Sequence, residues 1–97
     1  MLYSNYWIME VNGMKLVEGK KYIINFKWGT VKAFYDGTCD SLQGQECSCC
    51  NKECERGHLF KVPSTDSTTF EECQNGAYSE YLPVGNTCIK KLDIIPE

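Results

Sequence analysis

Apolar and polar positions alternate most clearly over residues 20–35. Tyr22, Ile24, Phe26 and Trp28 fall on one side of an extended chain, and Lys21, Ile23, Asn25 and Lys27 on the other. That period of two is what a half-buried strand needs. Thr30 to Tyr35 runs back, with Gly29 expected at a tight reversal or bulge and Asp36-Gly37 expected to close the hairpin with a further turn. Upstream, Trp7, Met9 and Val11 alternate onto one face, Asn12-Gly13 has the chemistry of a type I′ turn, residues 14–17 return, and Glu18-Gly19 turns again. Downstream, His58 to Val62 alternates until Pro63, and Ala77 to Leu82 reads as a strand ended by Pro83. Thr87 to Ile95 closes the chain as a strand with room for a single helical turn. Residues 69–73 read as one helical turn capped by Thr68 or Thr69 with Glu72 near the third position, or as a short strand.

No segment sustains a helical period over the length of an ordinary helix, while short strands recur between Gly, Asn and Pro. The expected fold is all-β: a small barrel or compact sandwich of five to six short strands, in one domain spanning 1–97. The order of elements over 14–95 resembles that of SH3-like small barrels. That resemblance implies a closed sheet and carries no functional residues.

Between Thr38 and Gly57 the alternation stops. An irregular loop of that length inside a compact domain needs something to order it. The stretch Cys47-Ser48-Cys49-Cys50-Asn51-Lys52-Glu53-Cys54-Glu55-Arg56-Gly57-His58 holds four cysteines and the only histidine of the chain. Thiolate sulfur and neutral imidazole are the donors of tetrahedral zinc sites. The spacing selects Cys47, Cys50, Cys54 and His58 as ligands of one structural ion within an inserted loop, 38–58. Cys39, Cys49 or Cys73 are substitutes, since Cys47, Cys49 and Cys50 cannot all reach one ion without strain. Four such ligands leave no water position, so the site would be structural. Two readings compete. The seven cysteines include Cys39, Cys73 and Cys88, spaced widely enough to staple turns by disulfides in a secreted binding domain. Cys54 and His58 could also form a thiolate–imidazole dyad, but no third group orients it.

Charge and compartment refine this. The chain carries a net −3, divided as +3 over residues 1–35, −6 over 36–80 and zero beyond. The Cys-rich half is therefore acidic, unlike a nucleic-acid footprint. No apolar run approaches the roughly 20 residues of a membrane span, and Met1 to Tyr6 lack the features of a secretory signal. A cytoplasmic location is expected, where thiols stay reduced and clustered cysteine favours metal over disulfide.

Phosphate loops, nucleophile elbows and His-Glu-x-x-His motifs are absent from the sequence. With one histidine, acid–base chemistry at neutral pH has little to draw on. The expectation is no enzyme, but a zinc-stabilised protein-interaction module acting as inhibitor or adaptor. Tyrosine, tryptophan and arginine anchor interfaces. The expected partner patch is Phe34, Tyr35, Tyr78 and Tyr81, with Glu80 beside them. Nine Lys to one Arg, with many Asn and Ile, suggest an AT-rich coding source such as a phage or mobile element. The alternative function is single-stranded nucleic-acid binding by the hairpin 20–35, where Lys20, Lys21, Lys27 and Lys32 flank Tyr22, Phe26 and Trp28.

Overall fold

The computed structural model describes residues 8–11, 14–65 and 69–97. Strands dominate, and all pairings are antiparallel. In chain order they are β1 (Ile8–Val11), β2 (Met14–Val17), β3 (Lys21–Phe26), β4 (Gly29–Cys39), β5 (Gln45–Glu46), β6 (Glu53–Cys54), β7 (Gly57–Pro63), β8 (Tyr78–Gly85) and β9 (Asp93–Pro96). A short helix, α1 (Phe70–Gln74), separates β7 from β8, and a 3₁₀ turn at Cys88–Lys90 precedes β9.

The main sheet has the order β8-β7-β4-β3-β9. Its two edges are different strands, so the sheet is open. The expected SH3-like closure is not found, while the all-β class is. β1 and β2 form a separate hairpin, with Val11 opposite Met14. The Asn12-Gly13 turn, Tyr3, Tyr6, Trp7 and Thr68 lie outside the described residues.

The alternation of β3 is borne out: Tyr22, Ile24 and Phe26 are buried, and the intervening side chains are half-buried. The same side of the sheet receives Ala33, Tyr35, Phe60, Leu82, Val84 and Ile89. Tyr22 also holds the β1–β2 hairpin in place. Its hydroxyl accepts from the Val17 N–H at 2.8 Å and donates to the Lys15 carbonyl at 3.1 Å, satisfying a polar tip on a buried ring.

Three punctuation marks act differently from expectation. The β3–β4 reversal is centred on Lys27 and Trp28, with Phe26 paired to Gly29. Asp36-Gly37 does not reverse the chain. Tyr35 faces Phe60 and Thr38 faces His58, so two β4 residues oppose Leu59 alone. This is a bulge, with Gly37 at φ 86°, a conformation glycine adopts without steric cost. β4 therefore continues to Cys39 and takes the chain directly into the cysteine loop. Pro83, too, does not end its strand. β8 is a sheet edge, where a missing N–H forfeits no ladder bond, and the Pro83 carbonyl accepts from Ser48 N–H at 2.8 Å.

The ambiguous segment 69–73 is helical. Thr69 is the N-cap, its hydroxyl accepting from Glu72 N–H and donating to the Glu72 carboxylate, both at 3.2 Å, a reciprocal arrangement close to the capping box. Among the described residues no helix is long and apolar enough to cross a membrane.

Candidate metal centre

The loop between β4 and β7 is short of regular structure but not of backbone hydrogen bonds. Leu42 is buried, and its N–H donates to Glu55 O, while Gly44 N–H donates to Cys54 O. β5 and β6 pair as a two-stranded ribbon. At its tip Cys47 N–H donates to Lys52 O and Asn51 N–H to Cys47 O, each at 2.8 Å. Asn51 takes φ 63°, which asparagine tolerates better than most side chains. The chain from Cys47 to Lys52 is thus a tight knuckle. Trp28 fastens it to the main sheet: its ring stacks on Phe26 at 4.6 Å, and its indole N–H donates to Ser48 O at 2.8 Å.

The knuckle brings Cys47 and Cys50 to Cys88, and the three sulfurs all lie within 4.8 Å of one another. Cys54, from β6, lies beside this group, its thiol donating to Lys52 O at 3.5 Å. The space for its sulfur exists because residue 85 has no side chain. A Cβ built on Gly85 would lie 3.1 Å from Cys54 Sγ and 3.9 Å from Cys47 Sγ. Three thiols thus converge, two from the knuckle and one from the turn after β8, with the ribbon's Cys54 alongside.

Electrostatics single out Cys47. Burial raises its pKa, but the N–H groups of Gly85, Cys50 and Cys49 and the Cys88 thiol outweigh this and bring it down to about 7. The Gly85 and Cys49 contacts measure 3.3 and 3.4 Å. Cys54 is pushed up by burial and by the neighbouring Cys47 charge. Burial also raises Cys88, reinforced by its hydrogen bonds to Cys50, Cys49 and Cys47. One thiolate held by backbone dipoles, with the Cys54 and Cys88 thiols held neutral beside it, is a nucleus onto which a cation can draw further sulfurs.

The donor set fits a metal ion. At Zn–S distances of about 2.3 Å, a tetrahedral site puts sulfurs roughly 3.8 Å apart, within modest reach of the observed spacing. Of the ligands expected from sequence, Cys47 and Cys50 belong to this group and Cys54 adjoins it. His58 is not among the donors brought together. It is paired across the sheet with Thr38 and Val84, and its Nδ1 shares a hydrogen bond of 2.8 Å with the Tyr35 hydroxyl. The substitutes are also elsewhere: Cys39 ends β4, and Cys73 is buried in α1. Cys49 stays close, its N–H donating to Cys47 Sγ. Cys88, which the sequence offered as a disulfide staple, stands in the sulfur cluster where His58 was expected. The signal that could have found it is Gly85-Asn86-Thr87-Cys88, whose glycine opens the turn that delivers the thiol. None of the seven cysteines is in a disulfide.

His58 has its own consequence. It is 2% exposed, and burial lowers its pKa against the opposing effect of its hydrogen bond to Asn86. Tyr35, fully buried, is pushed up by burial first and then by the charge of Glu18. The folded state therefore keeps His58 neutral where the unfolded chain, with pKa near 6.5, takes a proton. Its contribution to stability is present above about pH 6.5 and is lost as pH falls below it, by at most about 1.4 kcal/mol per pH unit. Urea unfolding of metal-saturated protein between pH 7.5 and 5.5 should show this slope, and His58→Phe should flatten it. Equal slopes for both proteins would assign the effect elsewhere.

Of the residues expected to meet a partner, Phe34 and Tyr35 are buried at 6% and 0% exposure. Their position in the core excludes them from a contact surface. Tyr81 is exposed, Tyr78 packs edge-on against it at 6.4 Å, and Glu80 is exposed between them. Lys61 sits over the Tyr78 ring at 5.0 Å and pairs with Asp36 at 3.4 Å. The basic hairpin fares similarly: Tyr22 and Phe26 are core residues, and only Trp28 reaches solvent. Comparison with protein-family models, with curated proteins and with solved structures gave no match for this chain.

Proposed function

We propose that this protein is a non-enzymatic binding module whose cysteine loop is clamped by one structural zinc ion on Cys47, Cys50, Cys54 and Cys88. The observation that carries the reading is the convergence of three sulfurs within 4.8 Å, with Cys54 alongside, on one backbone-stabilised thiolate. Four thiolates close a tetrahedral shell and leave no position for water or substrate, so the ion supplies stability rather than catalysis. Apparent binding energies of such sites, on the order of 10–16 kcal/mol, match or exceed the net stability of small domains. A metal here would decide whether residues 40–56 are ordered.

The module acts by contact with a protein partner, as inhibitor or adaptor in the cytoplasm. Tyr78, Glu80 and Tyr81 supply the surface, since tyrosines presenting a ring and a hydroxyl at an exposed edge suit interfaces. A nucleic-acid role for the hairpin is disfavoured because four of its five aromatic rings, all but Trp28, are buried. Native mass spectrometry of reduced protein should give one added ion near the mass of zinc per chain, removed by chelator. A metal-free mass in protein purified without chelator would defeat the reading. Single-stranded oligonucleotide at low salt should not bind; affinity falling steeply with salt would restore the nucleic-acid alternative.

A further inference from the structure

Beside the thiol cluster lies a cavity of about 340 Å³. Its walls include Cys50, Cys54 and Cys88, and also three cations: Lys52, Arg56 and Lys91. These arrive from separate places. Lys52, Cys54 and Arg56 come from β6 and its two flanks, and neither Glu53 nor Glu55 is among the lining residues. Lys91 follows the 3₁₀ turn that carries Cys88.

The concentration of positive charge is contrary to its surroundings. Residues 36–80 contain nine acids and only Lys52, Arg56 and Lys61 as bases. Lys61 is paired with Asp36, and the other two line this cavity. Among the described residues, none of Lys52, Arg56 and Lys91 forms an ion pair, although carboxylates adjoin two of them in sequence. Asn86 and Thr87 add an amide and a hydroxyl to the same wall.

The charge count sets the kind of anion. Resting on the metal reading above, four thiolates on a divalent ion carry a formal −2. The three cations exceed this by one, a surplus that a single carboxylate balances. We propose that this cavity docks one carboxylate group of a partner protein, held by Arg56 and the two lysines with Asn86 and Thr87 as hydrogen-bond donors. Arginine offers two parallel donors to a carboxylate, and the cavity has the lower size range of pockets that enclose a ligand group. A nucleic-acid phosphodiester carries the same charge, but no ring is among the cavity's lining residues, so the base-stacking surface of single-strand binders is missing here. Gly85 lines the cavity at the end of β8, the strand whose other end bears Tyr78. One strand thus joins the cavity to the tyrosine surface.

The test is a ¹H–¹⁵N titration of the protein as isolated, with four probes. Two are acetylated pentapeptides, one an amide with a central glutamate and one glycine-rich with a free terminal carboxylate. The third is the glutamine counterpart of the first, and the fourth is octathymidylate. Saturable shifts at Lys52, Arg56, Asn86, Thr87 and Lys91 are expected with either carboxylate probe, which distinguishes side chain from terminus as source, and not with glutamine. Arg56→Gln and Lys91→Gln should each weaken binding roughly two- to fivefold, the effect of losing one exposed ion pair. The proposal is overturned if glutamine shifts the same amides, if octathymidylate binds more tightly, or if both variants loosen the metal while no peptide binds. In that last case the cations serve the metal alone. Peptide binding to protein that is isolated without metal would leave the docking site standing on its cations alone and remove the zinc reading together with its charge count.

Discussion

Cys88→Ser should release the metal and unlock the cysteine loop, whereas His58→Gln should keep a full complement of metal. Along the chain His58 is the nearer donor, standing just beyond Cys54, and in space Cys88 is the one whose sulfur meets Cys47 and Cys50. A hydroxyl in place of the Cys88 thiolate leaves three sulfurs and a weak fourth donor. The loss of affinity should exceed the roughly 10–100-fold typical of removing a hydrogen-bonding partner of a ligand. His58→Gln keeps a polar side chain facing Tyr35, so its cost falls on folding stability and not on metal stoichiometry. The measurement is metal content by mass spectrometry together with amide exchange. In Cys88→Ser, exchange should rise across 40–56, while the β3–β4 hairpin, held by its own ladder and core, stays protected. Full metal in Cys88→Ser with loss in His58→Gln would reinstate the histidine as ligand.

The contrast between these two residues shows where sequence reasoning reaches and where it stops. Alternation identified β3 and β7, because a period of two survives any sheet order as long as one face is buried. The helical turn was one of two readings open at 69–73, and the local capping bonds of Thr69 and Glu72 are what decide for it. Sheet closure was not legible, since the same short strands suit an open five-stranded sheet or a barrel. Asp36-Gly37 has the same composition whether it reverses a chain or bulges it, and only the partner strand β7 decides. The thiol cluster differs from the expected ligand set at one residue for a related reason. Cys47, Cys50 and Cys54 are near neighbours along the chain, but Cys88 reaches them through the β7–β8 pairing, which no local pattern encodes. His58, meanwhile, lies on a strand whose alternation turns its ring into the core beside Tyr35 and Phe60. The buried fate of Phe34 and Tyr35 follows likewise from β4 being covered on both faces: Tyr35 joins the core, and Phe34 packs on Phe70 of α1 at 5.9 Å.

Gly57→Ala should be among the most destabilising single-methyl additions in the described fold, and it should weaken the metal centre without touching a ligand. Gly57 is buried at the start of β7, between Cys39 of β4 and Gly85 of β8. A Cβ there would clash with the Val84 carbonyl oxygen and lie 3.1 Å from Val84 C and 3.2 Å from Gly85 Cα. All three are backbone atoms, so no side chain can swing aside; β8 must move. Overpacking of this kind costs typically 1–3 kcal/mol, and more where backbone must yield. The displaced segment includes Gly85, whose N–H donates to Cys47 Sγ and whose lack of a side chain admits Cys54. Separation of β8 from β7 therefore reaches the thiols directly. Gly29→Ala is the control, because a Cβ at Gly29 meets nothing within 4 Å, and its effect should stay within about 0.5 kcal/mol. Chemical unfolding of both variants, with metal release to a colorimetric chelator followed in parallel, gives the comparison. If Gly57→Ala unfolds with the wild-type midpoint, the close approach of β7 and β8 at the mouth of the metal centre is wrong. If it is destabilised yet releases metal no faster, the strand pair and the thiol cluster are energetically independent, and the link through Gly85 falls.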